Sequence, residues 1–295
     1  MSNTGHWYAF IAFFSWGILP LYWKSIDFLE ADVILAYRII LSAISMCLFY
    51  LLIKKGRMIF DIHQVLKHFL PSFFLASNWL IFIYAVNEGH LLEVGLGYYL
   101  APILSCGVGL FLFHEKVNLF KGLAIFLACV GVFYYSFSIG RFPTLAVSLA
   151  VTFVLYGASK KMVKTNPTES LLYESLALFP IALAYAFLKE KNISMVELTW
   201  SQETLVAISG IVTVVPLIWF SRAAKLLEFN VLGFFQYIGP TTNFFLALFV
   251  FKENCSSEKM VTFIFVWSAV LIFIFSHKLS FRLDEWRSNF LEKVS

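Results

Sequence analysis

Two ionisable side chains lie in stretches that are otherwise apolar, and they are the first places where this chain could do chemistry. Arg38 falls within the apolar run 32–53, and Glu174 falls within the run 170–188. A charged side chain at the centre of a bilayer costs at least about 2.5 kcal/mol, so such groups normally face a protein interior or a wet cavity. Each predicts either a structural ion pair or a group that gates or binds a charged solute. By depth, the partners expected in such pairs are Glu88 or Glu93 for Arg38, and Arg222 for Glu174.

A second group of polar and aromatic residues surrounds two prolines near the middle of apolar runs. Pro102 and Pro240 each remove a backbone hydrogen bond, which predicts hinges at helix breaks where a polar ligand can bind. Ordinary helix packing with static kinks is the alternative interpretation. Together with deeper aromatic residues, this group predicts a central cavity suited to stacking a ring or holding an organic cation. The residues expected to bind substrate there are Trp16, Asn78, Tyr84, Tyr98, Tyr99, Tyr156, Glu174, Trp219, Gln236, Tyr237 and Asn243.

The elements that must position these side chains are membrane-spanning helices. The 295 residues are 60% hydrophobic and 14% charged, which is more apolar surface than a soluble domain of this size can bury. A helix needs roughly 20 apolar residues to cross a bilayer. Trp7, Trp23 and Trp200 near the ends of runs predict interfacial anchors. The chain divides into ten runs with short connections, at 6–24, 32–53, 68–87, 91–113, 117–138, 142–159, 170–188, 204–222, 229–251 and 260–277.

The distribution of positive charge predicts the orientation of these helices. Fifteen Lys and Arg residues fall on one side of the ten runs and six on the other. Positive residues are retained on the cytoplasmic side, so both termini are expected in the cytoplasm of a bacterial cell, with the chain in the inner membrane. Because this accounts for the net charge of +4, no nucleic-acid partner is indicated.

The two halves of the chain resemble each other. Residues 78–102 align without a gap on residues 216–240, and Tyr99 and Pro102 match Tyr237 and Pro240. This predicts repeats at 1–139 and 140–278 and a cytoplasmic tail at 279–295. Five helices is an odd number, so the second copy enters the membrane from the opposite side. Inverted repeats are the usual construction of secondary transporters, in which a central site opens alternately to each side.

Other functional classes find little support in the sequence. No GxxxxGK[ST], GxSxG or HExxH pattern occurs, so neither ATP hydrolysis nor the corresponding enzyme chemistry is indicated. No cofactor or metal is predicted, and no ATPase subunit is implied. An intramembrane enzyme or lipid-handling protein remains the alternative from another class. Two five-helix halves form a complete pathway, so a monomer is expected.

Several segments resemble the drug/metabolite transporter superfamily, EamA type, and within it the RarD-like branch. The resemblance implies ten helices in two inverted five-helix repeats, both termini cytoplasmic, and alternating access. One departure is Tyr37-Arg38-Ile39, where RarD-like proteins usually have His-Arg-Ile. The segments that carry the resemblance are WGILPLYWK (16–24), YRIILS (37–42), NWLIFIYAVNEGHLLEVGLGYYLAP (78–102), LYGASKK (155–161), YES (173–175) and GIVTVVPLIWF with LGFFQYIGPT (within 210–241).

The resemblance also bears on the cargo, although the family is broad. It implies a small organic metabolite, with an amino-acid-derived or nucleoside-like zwitterion as the leading expectation. S-adenosylmethionine is a concrete candidate, exchanged in an antiporter mode for S-adenosylhomocysteine, because related members of the superfamily carry it. Export of hydrophobic drugs such as chloramphenicol is the alternative.

Overall fold

The regular structure of the chain is helical throughout the part that the structure describes. This computed structural model describes residues 3–53, 61–114, 118–140, 142–163, 165–190, 199–226 and 235–294. The helices are α1 (Asn3–Ser25), α2 (Ala31–Ile53), α3 (Ile62–Lys67), α4 (Phe69–Asn87), α5 (Leu91–Phe113), α6 (Leu119–Ile139), α7 (Thr144–Met162), α8 (Pro167–Glu190), α9 (Trp200–Ala207), α10 (Ser209–Leu226), α11 (Ile238–Phe245) and α12 (Ser257–Val294).

The apolar runs of the sequence correspond closely to these helices. In lipid every backbone N–H and C=O must bond within its own segment, so an apolar run of this length folds as a helix. Among the described residues, seven helical segments are long and apolar enough to cross a membrane, and two shorter apolar segments, Thr144–Lys160 and Ile238–Val250, accompany them. The seven are Ala31–Leu52, Phe69–Asn87, Leu91–Gly109, Leu119–Ser138, Thr168–Lys189, Trp200–Phe220 and Ser257–Ser276.

Three details of the helices differ from the predicted runs. The run 204–222 consists of two helices, α9 and α10, that meet at Ile208. The run 229–251 begins outside the described residues, and its end continues from α11 as a π-helical segment, Leu246–Val250. The tail predicted at 279–295 extends α12, whose backbone is helical as far as Val294.

The helices pack in recurring pairs. Helix α2 lies along α8, α5 packs against α11, and α6 packs against α12. Helix α1 contacts α10 and α11, while α7 contacts α4 and α5. A shared core is formed where α1, α2, α4, α5, α7, α11 and α12 meet.

Large apolar side chains also cover the outer surface. On α6, Phe126, Phe133 and Phe137 are 63%, 72% and 82% exposed. Water would not tolerate such a surface, whereas acyl chains solvate it. The protein is therefore an all-helical membrane protein.

Candidate functional site

Arg38 is buried in α2, with only 4% of its surface exposed. Its guanidinium carbon lies 4.5 Å from the ring centre of Trp23 on α1 and 3.8 Å from that of Trp79 on α4. Its Nε donates a hydrogen bond of 3.0 Å to Thr213 Oγ1 on α10. Its Nη1 is buried and has no hydrogen-bond partner. Three helices thus hold the cation through aromatic faces and one hydroxyl.

The ion pair expected for Arg38 does not form. Glu88 is exposed after the end of α4 and Glu93 is buried in the first turn of α5; the ion pairs among the described residues do not join either to Arg38. Trp23, predicted to anchor at the interface, is instead fully buried beneath the guanidinium. The depth of a residue in the membrane does not show which side chains lie beside it. The neighbours of Arg38 are aromatic.

Glu174 is buried in α8 and has a complete set of partners. Its carboxylate lies 2.8 Å from Lys160 Nζ at the end of α7. It also accepts hydrogen bonds of 2.7 Å from Ser170 Oγ and 3.1 Å from Tyr156 OH. Lys160 Nζ donates to the same tyrosine hydroxyl at 2.9 Å. The expected partner, Arg222, is exposed and lies over the ring of Tyr8 at 5.6 Å, so that pairing was wrong.

A cavity extends between α2, α4, α8 and α10. Its volume is about 20 Å³, which is room for about one water molecule. A metabolite therefore requires the surrounding helices to separate. The Oγ of Ser42, on its wall, is buried without a partner. The lining residues are Ile39, Ser42, Ser72, Leu75, Ala76, Trp79, Leu171, Glu174, Ser175, Leu178 and Leu217.

Asn78 and Tyr98, predicted to bind substrate, instead join helices. Asn78 Nδ2 donates to Leu149 O at 2.9 Å and to Thr152 Oγ1 at 3.1 Å, both on α7. Tyr98 OH on α5 donates to Asn78 Oδ1 at 2.9 Å. These bonds satisfy the amide and fix α4 against its two neighbours.

The group around the two prolines lies where α5 meets α11. Tyr99 OH is 2.6 Å from Thr241 Oγ1, and the rings of Tyr99 and Tyr237 are stacked with centres 6.2 Å apart. The Oδ1 of Asn243 and the OH of Tyr237 are buried without hydrogen-bond partners. Gln236 is half-buried in the turn that precedes α11. This group lies apart from the lining of the cavity.

Neither proline breaks a helix at mid-length. The backbone of α5 is helical through position 102, whose side chain lies outside the described residues. Pro240 is buried in the first turn of α11, where its missing N–H removes no helical hydrogen bond. The hinge interpretation therefore gains no support from a mid-helix break at Pro240.

The remaining predicted residues lie in different surroundings. Trp16 packs against Phe13 and Phe220, with ring centres 5.2 and 5.5 Å away. Trp219 is half-buried on α10. Tyr84 is 49% exposed, so it faces outward from α4. The structure thus brings Glu174 to the cavity wall, with Tyr156 bonded to it.

Sequence reasoning identified Arg38 and Glu174 but missed that they lie at nearly corresponding positions of the two repeats, and it missed Lys160 as a partner. The sequence separation between Tyr37-Arg38 on α2 and Tyr173-Glu174 on α8 differs by two residues from the separation between the two aligned repeat segments. Aligning them would have placed two buried charges at corresponding positions. Lys160 was counted only as a loop cation, although it is the partner of Glu174.

The two ends of the α2 and α8 pair carry polar contacts. At one end, Tyr185 OH donates to Asp32 Oδ2, and Lys189 Nζ lies 2.5 Å from Glu30 Oε2 and 3.2 Å from Asp32 Oδ2. At the other end, Tyr50 OH donates to Glu169 Oε1 at 3.4 Å. Each end thus joins a tyrosine near the end of one helix to an acidic residue near the start of the other.

Glu253 joins the end of the π-helical segment to the start of α5. Lys252, before it, adopts a left-handed conformation with φ of 53°. The Glu253 carboxylate accepts hydrogen bonds from the backbone N–H groups of Leu91 at 2.5 Å and Leu92 at 2.9 Å. Burial raises the pKa of Glu253 above its ordinary value, although these two N–H groups act in the opposite direction.

Comparison with known proteins identifies the family. Residues 3–137 match the EamA-like transporter family. The uncharacterized transporter YojE of Bacillus subtilis (strain 168) is 36% identical over 282 residues, which cover 93% of this chain and 95% of that protein. The protein RarD of Escherichia coli (strain K12) is 36% identical over 272 residues, covering 90% and 92%.

The chain belongs to the EamA-like transporter family. It is therefore a multi-pass membrane transporter and not an enzyme. A solved crystal structure with 17% sequence identity superposes with a TM-score of 0.59, covering 92% of this chain and 98% of that one, and this similarity concerns the fold alone. The names of the two relatives specify no substrate.

Proposed function

We propose that the protein is a secondary transporter that moves a small organic metabolite across the bacterial inner membrane by alternating access. The cavity between α2, α4, α8 and α10 is its binding site. The observation that carries this proposal is the correspondence between the helix contacts of the two halves, because alternating access requires two arrangements of equivalent parts.

The contacts between helices have counterparts under an exchange of the two repeats, 1–139 and 140–278. Contact of α1 with α10 corresponds to contact of α7 with α4, and contact of α1 with α11 corresponds to that of α7 with α5. The pairs α2 with α8, α5 with α11 and α6 with α12 correspond to themselves. Ten spans in two inverted halves account for this pattern, and the excess of cationic residues on one side supports cytoplasmic termini.

The cavity wall follows the same correspondence. Ile39 and Ser42 on α2 occupy nearly the same repeat positions as Ser175 and Leu178 on α8, and all four line the cavity. Trp79 on α4 and Leu217 on α10 form a further pair. A site shared equally by both halves can open to either side when the halves exchange conformations.

The proposed cargo is an amino-acid-derived or nucleoside-like zwitterion, such as S-adenosylmethionine exchanged for S-adenosylhomocysteine. Charged groups of both signs, Arg38 and Glu174, lie beside the cavity, and Trp79 offers an aromatic face. A monomer contains both halves of the site. Movement is driven by solute or proton gradients.

Uptake into proteoliposomes tests this proposal. Radiolabelled S-adenosylmethionine, amino acids, nucleosides and chloramphenicol are offered with and without a pH gradient, and with unlabelled solute preloaded. We expect saturable uptake of one zwitterion by the wild type. Trp79→Ala removes a wall of the cavity and should abolish uptake, whereas Phe126→Ala, on the outer surface of α6, serves as the matched control.

The outcomes separate the alternatives. Stimulation by preloading indicates exchange, and stimulation by the gradient indicates proton coupling. Saturable transport of chloramphenicol alone would replace the proposed cargo. Equal uptake by the Trp79→Ala and Phe126→Ala variants would exclude this cavity as the route.

A further inference from the structure

We propose that Arg38 is the binding group for a carboxylate of the transported solute, so that the cargo of this site is a carboxylic acid. The inference rests on the proposed function for the identity of the ligand as cargo. It deepens that function by assigning Arg38, beside the cavity, to the carboxylate group of the solute.

The first argument is a charge without a counterion. Arg38 is 4% exposed, and its described partners are two indole rings and one hydroxyl. Indole faces and a neutral hydroxyl compensate a buried cation less completely than an anion does. The Nη1 atom has no hydrogen-bond acceptor at all. A buried guanidinium in this condition gains most from an incoming anion.

The second argument is the position of the guanidinium beside the cavity. Trp79, which lies against it at 3.8 Å, lines the cavity. Ile39 and Ser42, the next residue and the residue one turn on, also line it. Leu217, one turn beyond Thr213, does so from α10. Arg38 does not itself line the cavity, but it contacts or neighbours residues that do, so a widening of the site would bring it within reach of a solute.

The third argument is the set of hydrogen-bond donors that have no acceptor. The indole rings contact the guanidinium at its faces, whereas hydrogen bonds are made at its edges. Nε is occupied by Thr213, but Nη1 is not. Ser42, one turn further along α2, lines the cavity, and its Oγ is another buried donor without a partner. Two unsatisfied donors one turn apart on α2 suit the two oxygens of a carboxylate.

The fourth argument is the balance of charge. Glu174, which lines the cavity, is already paired with Lys160 at 2.8 Å. Among the described charged groups beside the cavity, Arg38 and Lys160 are cationic and Glu174 is anionic, which leaves one positive charge in excess. An anionic group on the solute restores neutrality.

Binding to the purified protein in detergent tests the inference without requiring transport. The probes are acetate, L-amino acids paired with their methyl esters, and S-adenosylmethionine paired with its decarboxylated form. Thermal stabilisation and tryptophan fluorescence report binding, since Trp23 and Trp79 contact the guanidinium. Each pair keeps the rest of the molecule and removes only the carboxylate.

The wild type is expected to bind at least one acid about tenfold or more tightly than its esterified or decarboxylated counterpart. Arg38→Gln should abolish this preference, and Arg38→Lys, which keeps the charge but loses the planar fork, should retain part of it. Lys121→Gln, which removes a cation from α6, should keep the full preference. If Arg38→Gln does not fold, the paired probes on the wild type and the lysine variant still decide.

Three results would overturn the inference. They are equal affinity for an acid and its ester, an unchanged preference in Arg38→Gln, and no binding of acetate or any acid by the wild type. Preferential binding of acids that are never transported would contradict the proposed function and leave the carboxylate site standing. Transport of neutral solutes with full activity in Arg38→Gln would contradict the carboxylate site and leave the proposed transport function standing.

Discussion

At the scale of single residues, buried polar groups in this protein are of two kinds. Asn78 and Glu174 have their hydrogen-bonding capacity filled by neighbouring helices. Arg38 and Asn243 retain an atom without a partner. The sequence alone identified Arg38 and Glu174, because a charge within an apolar run is conspicuous. Their partners could not be predicted, since they depend on which helices are adjacent and not on depth.

The pairing of Glu174 with Lys160 predicts a large effect on stability. Glu174→Gln leaves the partly buried lysine without its counterion, so we expect a loss of about 3 kcal/mol, as when one partner of a buried ion pair is removed. Glu174→Gln combined with Lys160→Met removes both charges and should recover much of the loss. Thermal unfolding in detergent measures both. A double variant less stable than the single variant would contradict the pairing.

At the scale of helices, the apolar runs predicted where helices form, because lipid forces the backbone of a run to bond within itself. The break between α9 and α10 and the π-helical segment Leu246–Val250 were not predicted. Contacts between distant parts of the chain accompany the π-helical segment. The Glu253 bonds to Leu91 and Leu92 are one such contact, and nothing local in the sequence indicates them.

Helices α2 and α10 approach each other closely at Gly210, so we expect this position not to tolerate a larger side chain. A methyl group added at Gly210 would collide with the backbone carbonyl of Leu41. We expect Gly210→Ala to force the helices apart and to destabilise the protein by about 1–3 kcal/mol, the usual cost of overpacking. Gly157→Ala is the matched control, because its added methyl meets nothing within 4 Å. Equal thermal stability of the two variants would refute this helix contact.

The buried carboxyl group of Glu253 predicts a dependence of stability on pH. Because burial raises its pKa in the folded protein, the folded state holds this proton more tightly than the unfolded state does. Its contribution to stability is therefore present at low pH and is lost as the pH rises through the raised pKa. Relative to Glu253→Gln, the wild type should gain stability as the pH falls from neutral toward the ordinary range of a glutamate carboxyl. Melting curves that stay parallel over this range would contradict the assignment.

At the scale of the whole molecule, the repeat and the charge bias of the sequence predict the topology. The proposal of two inverted halves rests on the pairwise packing of the helices. The substrate cavity was predicted from residues around Pro102 and Pro240, and the structure has a small cavity between α2, α4, α8 and α10. Local sequence shows which residues are polar, but only the three-dimensional arrangement shows which of them share a wall.

Labelling from the two sides of the membrane tests the topology. In a variant with the native cysteines replaced by serine, Glu88→Cys and Asn166→Cys each introduce one exposed thiol. The Glu88→Cys thiol lies between α4 and α5. It should react with a membrane-impermeant maleimide in cells whose inner membrane is intact but whose outer layers admit the reagent. The second lies between α7 and α8, and should react only after the inner membrane is opened. Reaction of both from the same side would rule out the inverted arrangement.

The close contact between Gly210 and the backbone of Leu41 couples solute binding to helix movement. Gly210 lies one turn before Thr213, whose hydroxyl holds Arg38 Nε at 3.0 Å. A movement of α10 away from Arg38 by about 1 Å lengthens that bond to about 4 Å, beyond hydrogen-bonding range. The guanidinium is then released from one of its constraints, and its affinity for an anion changes. Thermodynamic linkage follows, because a ligand whose affinity differs between two conformations shifts the population between them by that difference.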